Sequence, residues 1–417
     1  MNFRDLSPSP RTLMTPGPVE VDPRVLRAMS TPILGQFDPE FTDLMNETMT
    51  MLREIFMTKN QWAYTVDGTS RSGLEAVLVS LIESGDKVLV PLYGRFGHLL
   101  VEIVRRCGAE VVTLEKDWGT VFAVEEIAAA IRQHRPQLVA IVHGETSTGC
   151  MQPLDGIGLA CREIDALLVV DVVATIGGVE VATDKWLMDA VIGGTQKCLS
   201  VPAGLSLVSY NERVESKLLK RKRIEQGLLS DSSAVSSSFH DLLGSPIRSN
   251  YLDLCQLQDY WGPARLNHHT EATSMLYALR EGLRLVLQEG LQDRFERHKR
   301  HEAALMNGIA AMGLTLYGDP SCKMPVVTCV NIPDGVNGES VRAVLLSEFG
   351  IEIASSFGPL KGRIWRIGTM GYSCSKRNVL LTLGALEAVL TLHGVKVDAG
   401  AAVQAAMNTY NKEALWS

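Results

Sequence analysis

No apolar run in this chain of 417 residues approaches the ~20 residues that a membrane-spanning helix requires. Nor is there an excess of positive charge, because 40 lysines and arginines stand against 47 aspartates and glutamates, a net charge of −7. This balance argues against nucleic acid or an anionic membrane as the main partner. The start, Met1–Asp5, lacks the apolar core of a signal peptide, and the end, Ala414–Ser417, is not a peroxisomal signal. We therefore expect a cytoplasmic protein.

Cysteine is scarce, and its eight residues include no CxxC pair. Scattered cysteines of this kind are typical of reduced, packed thiols rather than of a disulfide framework or a zinc site. We interpret Cys198 in the same way, because no sequence feature lowers the pKa of its thiol. The sequence predicts neither disulfides nor a bound metal.

The composition is that of an ordinary globular protein, with 46% apolar and 21% charged residues. The length allows two domains. We predict an N-terminal arm over residues 1–20, a large domain over 21–280 and a smaller C-terminal domain over 281–417.

Short apolar runs alternate with helical patterns between residues 60 and 210. Runs this uniformly apolar suit strands that are buried on both faces, which predicts an α/β fold with a mainly parallel sheet between helices. Active sites of such sheets lie at the carboxyl ends of the strands. The runs are Lys87–Val90, Glu110–Leu114, Leu138–Val142, Leu167–Asp171 and Gly204–Val208.

The second half of the chain changes character. Residues 211–250, with basic Lys217–Arg223 and serine-rich Ser230–Ser238, are interpreted as a surface loop, the alternative being an active-site lid. Long amphipathic helices are expected from His268 onward, followed by elements of an α+β domain. These are a strand at Pro325–Val330, a helix at Ser340–Phe349, a strand at Ile364–Ile367 and a helical tail from Lys376.

Two residues with complementary chemistry follow buried strands. Asp171 ends one apolar run, and Lys197 closes the segment Gly193–Lys197 that follows another. Burial lowers the pKa of a lysine and favours the neutral amine that forms a Schiff base, while a carboxylate can keep a pyridinium nitrogen protonated. Pyridoxal phosphate needs both partners. Taken singly, Lys197 could be a solvated loop residue and Asp171 a helix cap; their common setting favours a cofactor site.

Other candidate residues follow strand ends or begin helices. The turn Gly68–Gly73, which contains Arg71, enters a helical pattern and could cradle a phosphate, or it could be a plain N-cap. The segment His143–Gly149 offers hydroxyl groups for a ligand, and Phe96 could stack on a planar ring or pack in the core. Arg366 interrupts an apolar strand pattern. A buried arginine needs a carboxylate partner, which could belong to the protein or to a substrate.

With these residues assembled, the chain resembles the class V pyridoxal-phosphate aminotransferases of fold type I, in the branch of the alanine-glyoxylate and serine-glyoxylate enzymes. The likeness runs from Thr15–Pro18 to beyond Arg366. Its most specific stretches are His143–Gly149 with Gln152–Gly156, Asp171–Gly178, Gly193–Lys197 and Asn267–Thr270.

The resemblance implies that the large domain binds pyridoxal phosphate, with Lys197 as the Schiff-base lysine and Asp171 as the pyridinium partner. It implies that Arg366 binds the α-carboxylate of the substrate. A residue matching Thr270 reaches the phosphate of the neighbouring subunit in this branch, so a homodimer with shared active sites is implied. The remaining cofactor contacts that it implies are Phe96 and Val173 on the two ring faces, Thr146 at the ring hydroxyl, and Thr69, Ser70, Arg71 and Gln196 at the phosphate.

Three positions depart from the usual pattern of the branch. Asn267 stands where an aromatic residue is common, Gln36 where histidine is common, and Ser70-Arg71 where a Gly-His pair is familiar. The pair Gln36 and Asn267 resembles the (S)-ureidoglycine-glyoxylate aminotransferases, since amides can donate to and accept from a ureido group. A donor lacking that group would leave the amides unpaired. Both amides could instead be water-linked surface residues.

The resemblance thus implies transamination from (S)-ureidoglycine to glyoxylate, giving oxalurate and glycine in purine (allantoin) breakdown. The alternative within the branch is an alanine-glyoxylate or serine-glyoxylate aminotransferase. A cysteine desulfurase fits less well, because no cysteine lies in a Gly/Ser-rich loop that could carry a mobile nucleophile. The sensor half of a transcription regulator fits poorly, because the first ~60 residues show no helix-turn-helix with a basic face.

Overall fold

The computed structural model describes residues 3–223 and 244–414. Its central sheet has seven strands, in the order β2-β10-β9-β8-β5-β3-β4. They are β2 (Trp62–Asp67), β3 (Lys87–Leu92), β4 (Glu110–Glu115), β5 (Leu138–Val142), β8 (Leu167–Asp171), β9 (Ala190–Gly194) and β10 (Leu205–Tyr210). Neighbouring strands are parallel except around β10, which runs antiparallel to both β2 and β9.

The central strands are apolar because helices cover both faces of the sheet. Every residue of β5, β8, β9 and β10 is buried, whereas the edge strand β4 has only exposed and partly buried positions. The predicted α/β fold with a mainly parallel sheet is therefore confirmed. Two short strands, β6 (Gly144–Glu145) and β7 (Cys150–Met151), form a separate hairpin beyond the end of β5.

The helices of this region begin at residues suited to capping. Asp22 and Asp38 each accept a hydrogen bond from a main-chain N–H of the first turn, and a proline follows each of them. Among the described residues no helix combines the length and the apolar character needed to cross a membrane. The helices are α1 (Pro23–Met29), α2 (Pro39–Ile55), α3 (Ser70–Leu81), α4 (Arg95–Arg106), α5 (Val124–His134) and α6 (Ile157–Glu163).

The interpretation of residues 211–250 as a surface loop was wrong for the first part of that segment. Helix α7 (Glu212–Arg221) begins at Asn211, whose side chain accepts from two main-chain N–H groups of the first turn. Arg221 is buried, and its guanidinium is satisfied there because it donates to the main-chain carbonyls of Ser80 and Ile82. Such carbonyls satisfy a buried arginine that composition alone marks as solvated. The segment Ser230–Ser238 lies outside the described residues, so the choice between loop and lid stays open.

The C-terminal region has its own small sheet and its own core. Strands β11 (Val327–Asn331), β13 (Ala354–Ser355) and β14 (Ile364–Gly368) are antiparallel, and the predicted strands and helices here are confirmed. Strand β1 (Thr12–Leu13) of the arm pairs with β12 (Ile351–Glu352) of this region. The limits 1–20, 21–280 and 281–417 stay a prediction. The helices that follow β10 are α7, α8 (Leu254–Trp261), α9 (Thr273–Glu289), α10 (Leu291–Ala311), α11 (Gly338–Phe349), α12 (Lys376–Leu392) and α13 (Ala401–Ala414).

Candidate active site

A cavity of about 210 Å³ opens at the carboxyl ends of the central strands. It brings together nine residues that the sequence singled out, from five separate parts of the chain. These are Thr69, Ser70, Arg71, Phe96, Thr146, Asp171, Val173, Gln196 and Lys197. The predicted position of the site, where parallel strands end, is therefore the position of this cavity.

Lys197 lies just beyond the end of β9, where the pKa of its amine is lowered. Burial, with a smaller effect from the charge of Arg366, lowers the pKa of its amine to about 8. At neutral pH a larger share of this amine is therefore neutral, and so nucleophilic, than for a solvated lysine.

The N-terminal arm covers this lysine. The sequence predicted Lys197 but not this contact. Lys197 Nζ donates to the main-chain carbonyl of Pro16. Gly17 has a φ of +95°, which favours glycine, and a Cβ atom there would lie 2.4 Å from Lys197 Cδ and 2.8 Å from Lys197 Nζ. The motif Thr15–Pro18 marked a likeness in sequence, but it carried no signal for a contact with a residue so distant along the chain.

Asp171 ends β8 and faces the same cavity. Burial raises the pKa of its carboxyl to about 6, although the hydrogen bond from the Val173 N–H, 2.9 Å from Asp171 Oδ1, lowers it. The negative charge of Glu145 raises the pKa further. Asp171 is thus mainly ionised at neutral pH, in a buried setting where a protonated ring nitrogen would be a favourable partner.

The start of α3 forms the anion-binding end of the cavity. Thr69, the residue before the helix, makes no side-chain capping bond, and the Ser72 N–H donates to the Thr69 carbonyl at 2.7 Å, which leaves the N–H groups of Ser70 and Arg71 to donate. Ser70 Oγ donates to Gln196 Oε1 at 3.2 Å, and a Cβ at Gly194 would lie 2.2 Å from that hydroxyl. These groups, with the guanidinium of Arg71, suit a phosphate at the positive end of a helix dipole.

Glu145 is a second residue that sequence reasoning passed over. It is fully buried, and it accepts hydrogen bonds from the Phe96 N–H at 2.8 Å and from Ser147 Oγ at 2.6 Å. Burial raises the pKa of its carboxyl. By capping the start of α4, Glu145 fixes the backbone of Phe96, whose ring packs edge-on against Phe357. The signal was present inside His143–Gly149, where only the hydroxyl residues were given a role.

Arg366 lies on β14 and is 6% exposed. The sequence left a protein carboxylate or a substrate carboxylate as its partner. Within the described residues the guanidinium donates instead to the main-chain carbonyls of Ser355, at 2.7 Å, and Thr146, at 3.0 Å. It also lies 4.6 Å from the ring centre of Phe357. Burial lowers its pKa to about 10, so it remains a cation at neutral pH. Arg366 is not among the residues that line the cavity of Lys197, but its guanidinium contacts Thr146, which does line it.

The remaining predicted residues lie elsewhere. Gln36 Nε2 donates to Asn267 Oδ1 at 2.9 Å, which brings these two amides together, while the buried Gln36 Oε1 has no hydrogen-bond partner in the described part of the chain. Asn267 and Thr270 are exposed. None of the three lines the cavity of Lys197 within the same chain.

Cys198 follows Lys197 in the chain but does not line the cavity. It is buried, its thiol donates to the carbonyl of Ala174 at 3.4 Å, and burial raises its pKa to about 12. The prediction of a packed thiol is confirmed. All eight cysteines are free thiols.

Comparison with known proteins agrees with this geometry. Residues 27–361 match the family described as aminotransferase class-V. The chain is 64% identical over 407 residues to the (S)-ureidoglycine-glyoxylate transaminase of Bacillus subtilis, covering 98% of this chain and 97% of that protein. It is 34% identical to the alanine-glyoxylate aminotransferase of Callithrix jacchus, covering 93% and 89%.

A solved structure supports the same relationship. The crystal structure of ureidoglycine-glyoxylate aminotransferase from Bacillus subtilis superposes with a TM-score of 0.92 at 63% identity, covering 98% of this chain and 100% of that one. The predicted fold type I architecture is thereby confirmed. The match of the family over most of the chain, together with the strand-end lysine and aspartate, shows that the chain belongs to the class V aminotransferases.

Proposed function

We propose that this transaminase moves the amino group of (S)-ureidoglycine to glyoxylate, producing oxalurate and glycine in purine (allantoin) breakdown. The observation that carries the proposal is the 64% identity, over almost the full length, to a Bacillus subtilis protein of that activity. The alanine-glyoxylate relatives are more distant, at 34% identity. The amide pair Gln36 and Asn267 supports the same choice of donor, because amides can pair with a ureido group.

The cofactor that we propose is pyridoxal phosphate, and the residues of the cavity fit it. A buried amine at Lys197, a buried carboxylate at Asp171 and the uncapped start of α3 are the three groups that the aldehyde, ring nitrogen and phosphate require. When bound, the cofactor supplies an aldehyde and an electron-withdrawing ring. The contacts we propose around it are Phe96 and Val173 at the ring faces, Thr146 at the ring hydroxyl, and Thr69, Ser70, Arg71 and Gln196 at the phosphate.

Three side chains of the protein have separate roles in the proposed reaction. Lys197 Nζ would take the proton from the donor carbon and later return one, for which its lowered pKa is suited. Asp171 keeps the ring nitrogen protonated, since its carboxylate is ionised at neutral pH. Arg366 binds the carboxylate of ureidoglycine and then that of glyoxylate, so both substrates are held in one orientation.

Gln36, Asn267 and Thr270 serve the active site of the neighbouring subunit in this proposal. They lie outside the cavity of their own chain, and the side chains of Ile33 and Phe37, beside Gln36, are 64% and 75% exposed. Exposed apolar side chains of this size favour burial against a partner. We therefore propose a homodimer, in which Thr270 contacts the phosphate and the amide pair contacts the ureido group across the interface. The cytoplasmic location stays a prediction.

The alternatives differ in the support they receive. An alanine-glyoxylate or serine-glyoxylate aminotransferase would use the same Lys197 chemistry with another donor. A desulfurase-type lyase requires a cysteine beside the cofactor, and within the described ranges the cavity of Lys197 is lined by none.

The absorbance of the bound cofactor tests the proposal. Purified holoenzyme is mixed with one amino donor at a time, without an oxo-acid acceptor; the donors are alanine, serine, glycine and freshly generated ureidoglycine. We expect rapid loss of the cofactor's visible absorbance with ureidoglycine alone. Loss with alanine or serine while ureidoglycine is inert would keep the fold and the role of Lys197 but overturn the donor.

A further inference from the structure

A second group of titratable side chains lies outside the cavity of Lys197, where the end of β2 meets the start of α9. Asp67, His269 and Glu271 each present a nitrogen or oxygen atom, and these atoms all lie within 4.8 Å of one another. His269 Nε2 is 3.5 Å from Asp67 Oδ2 and 3.8 Å from Glu271 Oε2. The exposed fractions of the three side chains are 13%, 9% and 1%, in chain order.

The polar atoms of this cluster have few partners in the protein. Both carboxylate oxygens of Glu271, Nε2 of His269 and Oδ1 of Asp67 are buried without a hydrogen bond. The same holds for the hydroxyl of Tyr260, whose ring centre is 4.7 Å from that of His269. These are five of the twelve such side-chain atoms in the described part of the chain. Buried polar atoms are normally paired, so their concentration in one place points to a ligand.

The charges of the cluster indicate the sign of that ligand. Asp67 and Glu271 are two carboxylates at close range, and the contact that Asp67 Oδ2 does make is with the Ala272 N–H, at 3.2 Å. No Lys or Arg ion pair to either residue occurs among the described residues. Two buried carboxylates side by side are costly unless a cation or a proton neutralises them.

We propose that Asp67, His269 and Glu271 bind a divalent transition-metal ion, with Zn²⁺ preferred. Imidazole nitrogen with carboxylate oxygen is a ligand set that zinc accepts, whereas Mg²⁺ and Ca²⁺ prefer oxygen alone. His269 Nδ1 lies 2.8 Å from His268 Nδ1, a hydrogen bond that orients the ring and leaves Nε2 to face the carboxylates. Metal-bound histidines are commonly held in this way through their other nitrogen.

The ion would be structural and would join two distant parts of the chain. It would bind Asp67, which precedes the turn Gly68–Thr69 at the cavity, together with His269 and Glu271, which precede α9. The sequence hides this site because its ligands belong to segments that are far apart and form no spacing motif. The proposal does not depend on the identity of the amino donor or on which cofactor occupies the cavity.

Metal content of the untagged holoenzyme tests the proposal. The protein is treated with a chelator, exchanged into metal-free buffer and titrated with Zn²⁺, Mn²⁺ or Mg²⁺, with bound metal measured by elemental analysis. We expect one Zn²⁺ per subunit, weaker binding of Mn²⁺ and no binding of Mg²⁺. Co²⁺ in place of zinc should give the visible absorption of a nitrogen and oxygen site. A protein that takes up no Zn²⁺ overturns the proposal and leaves a proton shared between Asp67 and Glu271 as the explanation.

Substitutions locate the ion. E271Q keeps the shape of the side chain but removes its charge, so we expect at least a tenfold loss of Zn²⁺ affinity, and the same for D67N. The matched control is E302Q, which alters a buried carboxylate paired with Lys323 in another part of the fold and should bind Zn²⁺ as the wild type does. Unchanged binding in both E271Q and D67N would overturn the assignment. If neither variant folds, the Co²⁺ spectrum of the wild type decides, because a thiolate signature would exclude these ligands.

Discussion

The cavity of Lys197 and the amide pair of Gln36 and Asn267 differ in burial and in the kind of element that carries their residues. The cavity gathers buried ionisable groups at strand ends, where burial shifts the pKa of Lys197 and of Asp171 toward neutrality. The amide pair lies at the surface of the chain, between a loop before α2 and the segment before α9. Rigid strands position the groups we assign to bond making, while surface segments carry those we assign to donor choice.

The difference suggests that reactivity and selectivity can be altered separately. Changes in the cavity should abolish the reaction for every donor, whereas changes in the amide pair should alter the ranking of donors. The substitutions below test this separation.

The largest effect is expected for Lys197→Ala. Without the amine, proton transfer at the donor carbon has no catalyst, and turnover should fall about 10³-fold or more with every donor. Steady-state kinetics with ureidoglycine and alanine measure this. Lys185→Ala, at an exposed lysine, is the control and should retain activity. Near-normal turnover in Lys197→Ala would refute its role.

A smaller loss is expected for Arg366→Gln. Removing the cation should weaken the binding of both carboxylate substrates, lowering kcat/KM roughly 10- to 100-fold, mostly through KM. Saturation curves for donor and for glyoxylate separate KM from kcat. Arg280→Gln removes a surface arginine paired with Glu47 and should change neither value. If KM for glyoxylate stays constant in Arg366→Gln, the substrate carboxylate binds elsewhere.

Asn267→Tyr should change selectivity. Replacing the amide leaves Gln36 without its partner and should lower kcat/KM for ureidoglycine about tenfold, while alanine and serine are less affected. Asn307→Tyr, at an exposed asparagine on α10, is the matched control. Donor preference identical to that of the wild type would remove Asn267 from substrate recognition.

Mixing two inactive or impaired chains tests whether the amide pair acts across the dimer. In a heterodimer of Lys197→Ala and Asn267→Tyr subunits, action across the interface reconstitutes one complete site. Ureidoglycine activity should then approach half of the wild-type value per heterodimer. Action within one chain would leave only the impaired Asn267→Tyr site, and no gain would be seen after subunit exchange.

The smallest effect concerns pH and the stability of the cofactor-free protein. The pKa of Lys197 is about 8 in the folded chain against an ordinary 10.5, so between these pH values the unfolded chain holds more of this proton. The contribution of Lys197 to the free energy of unfolding therefore rises with pH across that window. Urea denaturation at pH 8, 9 and 10 should show this rise relative to Lys197→Met. Parallel curves for the two proteins would mean that the amine is not desolvated.

The parts of the site that the sequence predicted are those marked by local pattern. Asp171 ends an apolar run, Lys197 closes the segment that follows another, and the turn that contains Ser70 enters a helical pattern. Periodicity marked them as candidates, and the family resemblance gave them their roles. Residues that act through distant contacts left no such mark. Pro16 reaches Lys197, and Glu271 approaches Asp67, only after folding.

The charge pattern gave a wrong prediction at Arg221, because composition cannot distinguish a solvated arginine from one that donates to main-chain carbonyls. No protein carboxylate pairs with Arg366 in the described part of the chain, and the other expected partner, a substrate carboxylate, stays a proposal. A carboxylate is the simplest partner to infer from a sequence, whereas carbonyl groups are present everywhere and identify no particular neighbour.

The N-terminal arm connects the small sheet of the C-terminal region to Lys197 at the end of the central sheet through a few adjacent residues. Thr12 and Leu13 pair with β12, the carbonyl of Met14 accepts from the Gly368 N–H at 2.8 Å, and two residues later Pro16 contacts Lys197. Gly368 follows Arg366 on the same strand by two positions. The same strand therefore holds both the hydrogen bond that fixes the arm over Lys197 and the arginine that we propose binds the substrate carboxylate.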